Sequence, residues 1–321
     1  MIIKEWCKVF WLLIVFSVSL VFSACSPTQG ESESPEKTEL RIFVTTTFIG
    51  DVVGNIAGDA AEVIVLLEPG QNPHSYQPSP RDMVNISEAD LIFVNGLGLE
   101  EFLDDLLGGS DTDADVVVVS DGIIPLTFNL SGDAREEEND GDHQAHLGQD
   151  PHVWFDPRNI LIWTDNISRA LSEHDPARSD LYEANAAAYR DELISLDAWI
   201  KDQVNLIPPG KRELVTDHTS LGYFAEAYGF TQIGAVIPGL TTEAETSGQE
   251  LAALIDTIRT HQTQAIFVGV DTDPTLAHRV ADETGVELVS LYFGSLSAGT
   301  PADTYLNFMH FNVEAITNAL Q

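Results

Sequence analysis

Residues 175–210, DPARSDLYEANAAAYRDELISLDAWIKDQVNLIPPG, decide how the rest of the chain is organised. Asp175 suits a helix N-cap, Pro176 suits the first helical turn, and the Pro-Pro-Gly at 208–210 ends helical structure. Between these signals, apolar residues recur at steps of three to five positions and predict one buried stripe. The stripe consists of Leu181, Ala184, Ala188, Leu193, Leu196, Ile200 and Val204. About thirty residues at ~1.5 Å each give a rod of roughly 45 Å, and the alternative is two shorter helices broken near the middle.

Short β-branched runs alternate with helical patterns on both sides of this helix. Predicted strands span residues 40–46, 61–67, 90–95 and 115–120 before it, and 213–217, 231–237, 264–268 and 287–291 after it. Predicted helices span residues 99–107, 221–228, 247–260, 275–284 and 301–320, and a further helix begins at Ser79-Pro80. This order predicts an α/β protein of two lobes, each a mostly parallel sheet flanked by helices, joined by one long backbone helix. We assign residues 40–157 to an N-terminal lobe, 158–210 to a helical linker and 211–321 to a C-terminal lobe.

The amino-terminal residues 1–24 are typical of a signal peptide. Lys4 and Lys8 precede an apolar run over residues 9–22, and this run is too short for a membrane span. Ser23-Ala24-Cys25 resembles a lipoprotein cleavage box and makes Cys25 a candidate for lipidation, although Phe22 replaces the usual Leu. Ordinary secretory cleavage nearby and an uncleaved anchor are the alternatives. Residues 25–39 are polar and predict a flexible tether.

The composition excludes two classes of function. The formal net charge is -36, with 51 acidic and 15 basic residues, so binding to nucleic-acid phosphates is excluded. Removal of the segment that contains Cys7 would leave no thiol besides Cys25, which excludes cysteine chemistry. An electrostatic field of this sign concentrates cations, although solubility or a salty habitat also explains the negative charge.

Residues 131–149 form an acidic segment with His143 and His146 and predict a surface loop.

Three histidines stand in distinctive sequence frames. They are His74 in NPHSYQP, His152 in DPHVWFDP and His218 in VTDHTS. His74 and His218 follow predicted strands, and His152 follows the last strand of the first lobe. Ligands of open α/β sheets lie beyond the carboxyl ends of strands, and imidazole is the commonest metal ligand. The sequence therefore predicts a metal site in the cleft between the lobes.

From residue 40 to residue 320 the chain resembles the metal-binding solute-binding proteins of bacterial zinc and manganese ABC importers. The matching segments are GQNPHSYQPSP at 70–80, ADLI at 89–92, NGLGLE at 95–100, DPHVW at 150–154, His218 with YF at 223–224 and YG at 228–229, and DTY at 303–305 with Asn312. The resemblance implies two lobes with limited closure, a metal held between them, and no catalysis. It also implies delivery of the metal to an ABC permease and its ATPase by an extracytoplasmic monomer, anchored to the membrane through lipidated Cys25. Zinc-binding members carry a His-rich acidic loop, so His143 and His146 either capture metal transiently or lie in a plain solvated segment.

The chain departs from this family at two positions. Gly294 stands where the family usually supplies an Asp as the fourth ligand, and no carboxylate lies between Val289 and Thr300. Gly269 stands where an acidic residue usually follows Phe267. Three imidazoles without a carboxylate favour zinc over manganese, which prefers oxygen donors.

The fourth metal position would hold water or an auxiliary donor. The auxiliary candidates are Asp271, Asp273, His143 and His146. Asp150 and Asp217 are candidates for orienting the neighbouring histidines, and Trp154 for shielding the site.

We therefore expect an extracytoplasmic protein that binds Zn²⁺ for ABC import. The alternatives are a manganese-specific protein of the same family, a surface adhesin or metal-sequestering protein, and a hydrolytic enzyme. Three histidines and a water also form a catalytic zinc geometry, but the sequence shows no general base in a substrate pocket.

Overall fold

The structure, a computed structural model, describes residues 39–129, 147–242 and 245–321. The predicted signal peptide, Cys25, His143 and His146 lie outside the described residues, so what was inferred about them stays a prediction. Residues Glu39–Gln321 form a single compact unit. Within the described ranges, no helix combines the length and the apolar character that crossing a bilayer requires.

The first sheet contains the four strands predicted before the long helix. They are β1 (Leu40–Val44), β2 (Ala61–Val65), β3 (Leu91–Val94) and β4 (Asp115–Val118). Their order is β2-β1-β3-β4, and every pairing is parallel. Each strand is two residues shorter than predicted because the chain leaves the sheet to form loops and caps. Thr46, for example, accepts a 3.3 Å hydrogen bond from the Ile49 N–H and caps the next helix.

Three helices follow strands of this sheet. They are α1 (Thr47–Ala57), α2 (Pro80–Ser87) and α3 (Leu103–Gly109). The start predicted at Ser79-Pro80 is confirmed, since Ser79 and Asp82 form a reciprocal capping box. Helix α3 begins later than predicted because the preceding residues wrap around the buried Glu100 carboxylate. This carboxylate accepts hydrogen bonds from the backbone N–H groups of Asn95 (2.7 Å) and Gly96 (3.0 Å).

A short antiparallel pair was not predicted. Strands β5 (Thr127–Asn129) and β6 (Leu147–Gln149) pair on either side of the acidic segment. The prediction of a loop throughout residues 131–149 is therefore wrong at its carboxyl end. Three-residue strands are too short for a periodic signal, and only pairing with a distant partner stabilises them.

The long connecting helix is a single helix, as predicted. Helix α4 (Pro157–His174) ends before it, and Pro176–Arg178 form a 3-10 turn. Helix α5 (Ser179–Val204) then runs unbroken for 26 residues. It begins three residues later than expected because the proline and its neighbours belong to the 3-10 turn.

The buried face of α5 differs from the predicted stripe in its first half. Leu181 is 43% exposed, and Ala184 and Ala188 are also exposed. Tyr182 and Tyr189 are buried instead, and their hydroxyls donate to Asp175 (3.1 Å) and Asp51 (3.4 Å). Aromatic rings bury more apolar area than leucine or alanine once the hydroxyl has a partner. The second half is buried as predicted, at Leu193, Leu196, Ile200 and Val204.

The second sheet contains the four strands predicted after α5. They are β7 (Glu213–His218), β8 (Thr231–Ile237), β9 (Ala265–Gly269) and β10 (Glu287–Leu291), in the parallel order β10-β9-β7-β8. Helices α6 (Gly222–Tyr228), α7 (Gly248–His261), α8 (Thr275–Thr284) and α9 (Tyr305–Leu320) complete this half. The predicted α/β class, with two parallel sheets flanked by helices and one long helix, is confirmed. The lobe boundaries at 157 and 210 stay predictions.

The loop after β10 joins the two halves of the fold. The Phe293 carbonyl accepts a 3.0 Å hydrogen bond from the Trp154 indole N–H. The Ser295 hydroxyl accepts one of 2.9 Å from the Gly70 N–H, and the Leu296 N–H donates to Thr47 at 2.8 Å. These bonds hold loops from both sheets around one cavity.

Candidate metal centre

Three histidines converge at the carboxyl ends of the strands. His74 lies in the loop after β2, His152 lies between β6 and the 3-10 turn Val153–Phe155, and His218 ends β7. Their ring centroids are 5.3 to 6.3 Å apart, and His74 Nε2 lies 3.3 Å from His152 Nε2. One nitrogen from each ring lies within 4.8 Å of the others. Tetrahedral zinc with Zn–N bonds of about 2.1 Å separates its nitrogens by ~3.4 Å, so this spacing suits one ion.

Two of the rings are held from behind by carboxylates. His152 Nδ1 lies 2.8 Å from Asp150 Oδ1, and His218 Nδ1 lies 2.7 Å from Asp217 Oδ1. Both pairs are buried. A carboxylate at Nδ1 favours the tautomer with its proton on Nδ1, which leaves the Nε2 lone pair free for a metal. The sequence predicted these two acids as orienting groups, and the contacts agree with that role.

The third ring is held through its backbone. The His74 N–H donates to Asn72 Oδ1 at 3.0 Å, and the Asn72 amide donates to the Thr242 hydroxyl at 2.6 Å. Asn72 belongs to the same loop as His74, whereas Thr242 follows β8 in the second half. The position of His74 therefore depends on contacts from both halves of the fold.

Burial keeps two of the imidazoles, those of His74 and His152, neutral. Burial and the neighbouring imidazoles lower the pKa of His74 to about 3. Burial also lowers the pKa of His152, although Asp150 opposes the shift. Burial raises the pKa of the Asp217 carboxyl, but hydrogen bonds, first from His218 and then from the Gly269 N–H, bring the net pKa below its ordinary value. Near neutral pH, His74 and His152 therefore offer uncharged nitrogen donors, and the Asp217 carboxylate is ionised.

Aromatic rings close one side of the cluster. Trp154 is 2% exposed, packs edge-on against His152 at 5.3 Å and stacks on Phe48 at 5.1 Å. Phe293 packs against His218 with a centroid distance of 5.7 Å. These rings exclude water from that side, which agrees with the shielding role that the sequence predicted for Trp154.

The other side of the cluster opens into a cavity of about 350 Å³. Gly294 lines it, and a Cβ atom at this position would have no heavy atom within 4 Å. Gly269 is the opposite case, because a Cβ atom there would lie 2.5 Å from Thr272 Oγ1 and 3.0 Å from Asp217 Oδ2. The two glycines that depart from the family pattern thus have different surroundings. Gly294 faces open space, whereas Gly269 leaves room for the Asp217 carboxylate.

The two auxiliary aspartates line the cavity without joining the histidines. Asp271 and Asp273 are outside the group of mutually close donor atoms among the described residues. Asp273 accepts hydrogen bonds from the Thr275 N–H (2.9 Å) and hydroxyl (2.6 Å) at the start of α8. The other two auxiliary candidates, His143 and His146, lie outside the described residues.

The contacts that complete the cavity wall could not be predicted from the sequence. Thr242 and Ser295 reach across to Asn72 and Gly70, 170 and 225 positions away in the chain. No local pattern marks such pairs. A glycine at the end of a buried strand, as at Gly269, does indicate a close approach by another group.

Comparison with known proteins places the chain among metal-binding proteins. The model of the family described as zinc-uptake complex component A, periplasmic, matches residues 42–319. The chain is 33% identical over 316 residues to the manganese-binding lipoprotein MntA of Halalkalibacterium halodurans, covering 98% of this chain and 99% of that protein. It is 34% identical over 306 residues to the iron-binding protein YfeA of Yersinia pestis, covering 95% of this chain and 93% of that protein.

A solved structure supports the same relationship. The periplasmic zinc-binding protein TroA of Treponema pallidum superposes with a TM-score of 0.76 at 28% identity, covering 88% of this chain and 99% of that chain. The names of these relatives describe binding proteins for three different metals, so similarity alone does not select the metal bound here.

Proposed function

Because the chain belongs to the zinc-uptake complex component A family of ABC-transporter binding proteins, we propose that it captures Zn²⁺ outside the cytoplasmic membrane and delivers it to an ABC permease. A cytoplasmic ATPase would drive the permease. The protein itself acts by binding and release rather than by catalysis, as the names of its relatives indicate.

The donor set of the site supports zinc. His74, His152 and His218 offer nitrogen only, and no carboxylate lies among the mutually close donor atoms of the described residues. Nitrogen donors suit zinc, whereas manganese prefers carboxylate and water oxygens. Manganese is the second candidate, because the relative from Halalkalibacterium halodurans is named a manganese-binding lipoprotein and Asp271 lies on the cavity wall.

The relatives also support the proposed location. MntA is named a lipoprotein and TroA a periplasmic protein. We expect Cys25 to carry the lipid that keeps the protein at the outer face of the cytoplasmic membrane, next to its permease. We expect the protein to act as a monomer.

Metal titration tests the proposal. The purified protein is titrated with Zn²⁺ and with Mn²⁺ against a chromophoric chelator, together with His74→Ala, His152→Ala and His218→Ala. Each substitution should weaken zinc binding more than about a hundredfold. Removal of a residue that hydrogen-bonds to a metal ligand lowers metal affinity by about 10–100-fold, and removal of the ligand itself should lower it further. The matched control is His278→Ala, at an exposed position outside the cluster.

A growth experiment separates import from adhesion or sequestration. A strain that lacks this protein should fail to grow in chelated medium and recover with added zinc but not with added manganese. Recovery with manganese alone would select the second candidate. Normal growth in chelated medium would contradict a role in import.

A further inference from the structure

We propose that the cargo of this site is a zinc ion that already carries one small chelator of the amino-acid type. The nitrogen and oxygen atoms of the chelator would supply the donors that Gly294 lacks. This inference rests on the proposed function, because it requires the three histidines to hold zinc.

The coordination number leaves room for such a ligand. The described residues offer three donors, and zinc takes four or, in open sites, five. A Cβ at Gly294 would meet no heavy atom within 4 Å, so the protein leaves this direction unfilled. A bidentate nitrogen-and-oxygen chelator would supply the donors that the three histidines do not.

The cavity is larger than a bare ion requires. A water molecule occupies about 30 Å³ of liquid volume, whereas pockets for small organic ligands begin at about 300 Å³. The cavity measures about 350 Å³ and adjoins the three rings directly. Its volume therefore exceeds what a single completing water requires and lies within the range of pockets for small organic ligands.

The wall of the cavity suits a ligand with both N–H and carboxylate groups. Ser295, which is 4% exposed, accepts a hydrogen bond from Gly70 and keeps its own hydroxyl proton to donate beside Gly294. Asp271 and Thr272 also line the cavity. A carboxylate on the wall accepts N–H groups of a bound amine and repels a ligand with several carboxylates. This charge pattern selects an amino acid over a polycarboxylate such as citrate.

The overall charge favours the same cargo. A zinc ion with one amino-acid anion keeps a net positive charge, and the formal charge of the protein is -36. A protein field of this sign raises the local concentration of such a complex. A zinc complex with a tricarboxylate would be negative and would be repelled.

Equilibrium dialysis with radiolabelled L-histidine tests the inference. The purified protein is dialysed against labelled histidine with and without equimolar zinc, and the retained zinc and label are counted separately. We expect one histidine per bound zinc and no retention of histidine without zinc. Citrate in place of histidine should not be retained.

Two variants sharpen the test. Gly294→Asp places a protein carboxylate in the open direction, so it should retain zinc while retained histidine falls at least tenfold. His278→Ala changes an exposed position outside the cluster and should retain histidine like the parent protein. Zinc bound without histidine, or histidine retained equally by Gly294→Asp, would overturn this inference and leave the proposed function standing. Absence of zinc binding would overturn both.

Discussion

Asp217 holds His218 in place, and a hydrogen bond from the neighbouring strand β9 holds Asp217. Its Oδ1 atom lies 2.7 Å from His218 Nδ1, and its Oδ2 atom accepts a 2.8 Å hydrogen bond from the Gly269 N–H. The carboxylate therefore connects the ends of β7 and β9 behind the metal-facing ring. Residue 269 must be small for this arrangement, because a side chain there would meet the carboxylate.

Gly269→Ala should weaken zinc binding by about tenfold, in the lower part of the range for partners behind ligands. The added Cβ would lie 3.0 Å from Asp217 Oδ2 and 2.5 Å from Thr272 Oγ1, so Asp217 must shift and His218 with it. Competitive zinc titration measures the effect. Gly294→Ala is the matched control and should bind zinc like the parent protein; equal affinities for all three proteins would contradict the role of Gly269.

Asp217→Asn and Asp150→Asn should each weaken zinc binding by about 10–100-fold. Each substitution keeps the shape of the side chain but removes the charge that favours the Nδ1–H tautomer of the histidine beside it. The same titration measures the loss. Asp191→Asn, at an exposed position of α5, serves as the control. A similar loss of zinc affinity in this variant would show that the change in net charge, rather than the contact with histidine, weakens binding.

Gly294→Asp should shift the metal preference toward manganese. The new carboxylate would enter the open side of the cluster and add an oxygen donor, which manganese prefers. We expect Mn²⁺ affinity to rise by at least about tenfold, or ~1.4 kcal/mol, relative to the parent protein. Parallel titrations with Zn²⁺ and Mn²⁺ measure this shift. Unchanged Mn²⁺ affinity would mean that the open direction does not face the bound ion.

Asp51→Asn should stabilise the metal-free protein above pH 6. Burial raises the pKa of the Asp51 carboxyl from 3.8 to about 6, assisted by the charges of Asp303 and Glu192 and opposed by hydrogen bonds from Tyr305 and Tyr189. A raised pKa in the folded state means that stability is fully present below about pH 4 and is lost as the pH rises to about 6. Asparagine does not ionise and avoids this loss.

Urea unfolding from pH 4 to pH 8 measures the difference between the two proteins. The gain should be near zero at pH 4 and reach about 1–2 kcal/mol above pH 6, less than the full pKa shift implies because Asp51 is only half-buried. Asp191→Asn should follow the pH profile of the parent protein. A gain for Asp51→Asn that does not change with pH would contradict the account.

The sequence predicted the convergence of the three histidines better than it predicted the packing. The three histidines could be recognised because each lies in its own frame next to a strand end, and topology then brings those ends together. The start of α2 could be recognised because its capping box is contained within four residues. The histidine motifs and the capping box are both local patterns, so each can be recognised from one short stretch of sequence.

The remaining features depend on partners that are distant in the chain. The buried face at the start of α5 contains Tyr182 and Tyr189 rather than Leu181, because their hydroxyls find Asp175 and Asp51. Periodicity alone cannot show such a partner. The same holds for the hydrogen bond between Trp154 and Phe293, 139 positions apart, which joins the two halves beside the site.

X-ray absorption spectroscopy at the zinc edge of the loaded protein tests the central claim most directly. The claim is that imidazoles from both halves of the chain meet at a single ion. The account predicts three imidazole nitrogens at about 2.0–2.1 Å with one or two further light atoms, and two imidazoles in each of the three histidine-to-alanine variants. A spectrum dominated by oxygen donors, or an imidazole count that does not fall in the variants, would contradict it.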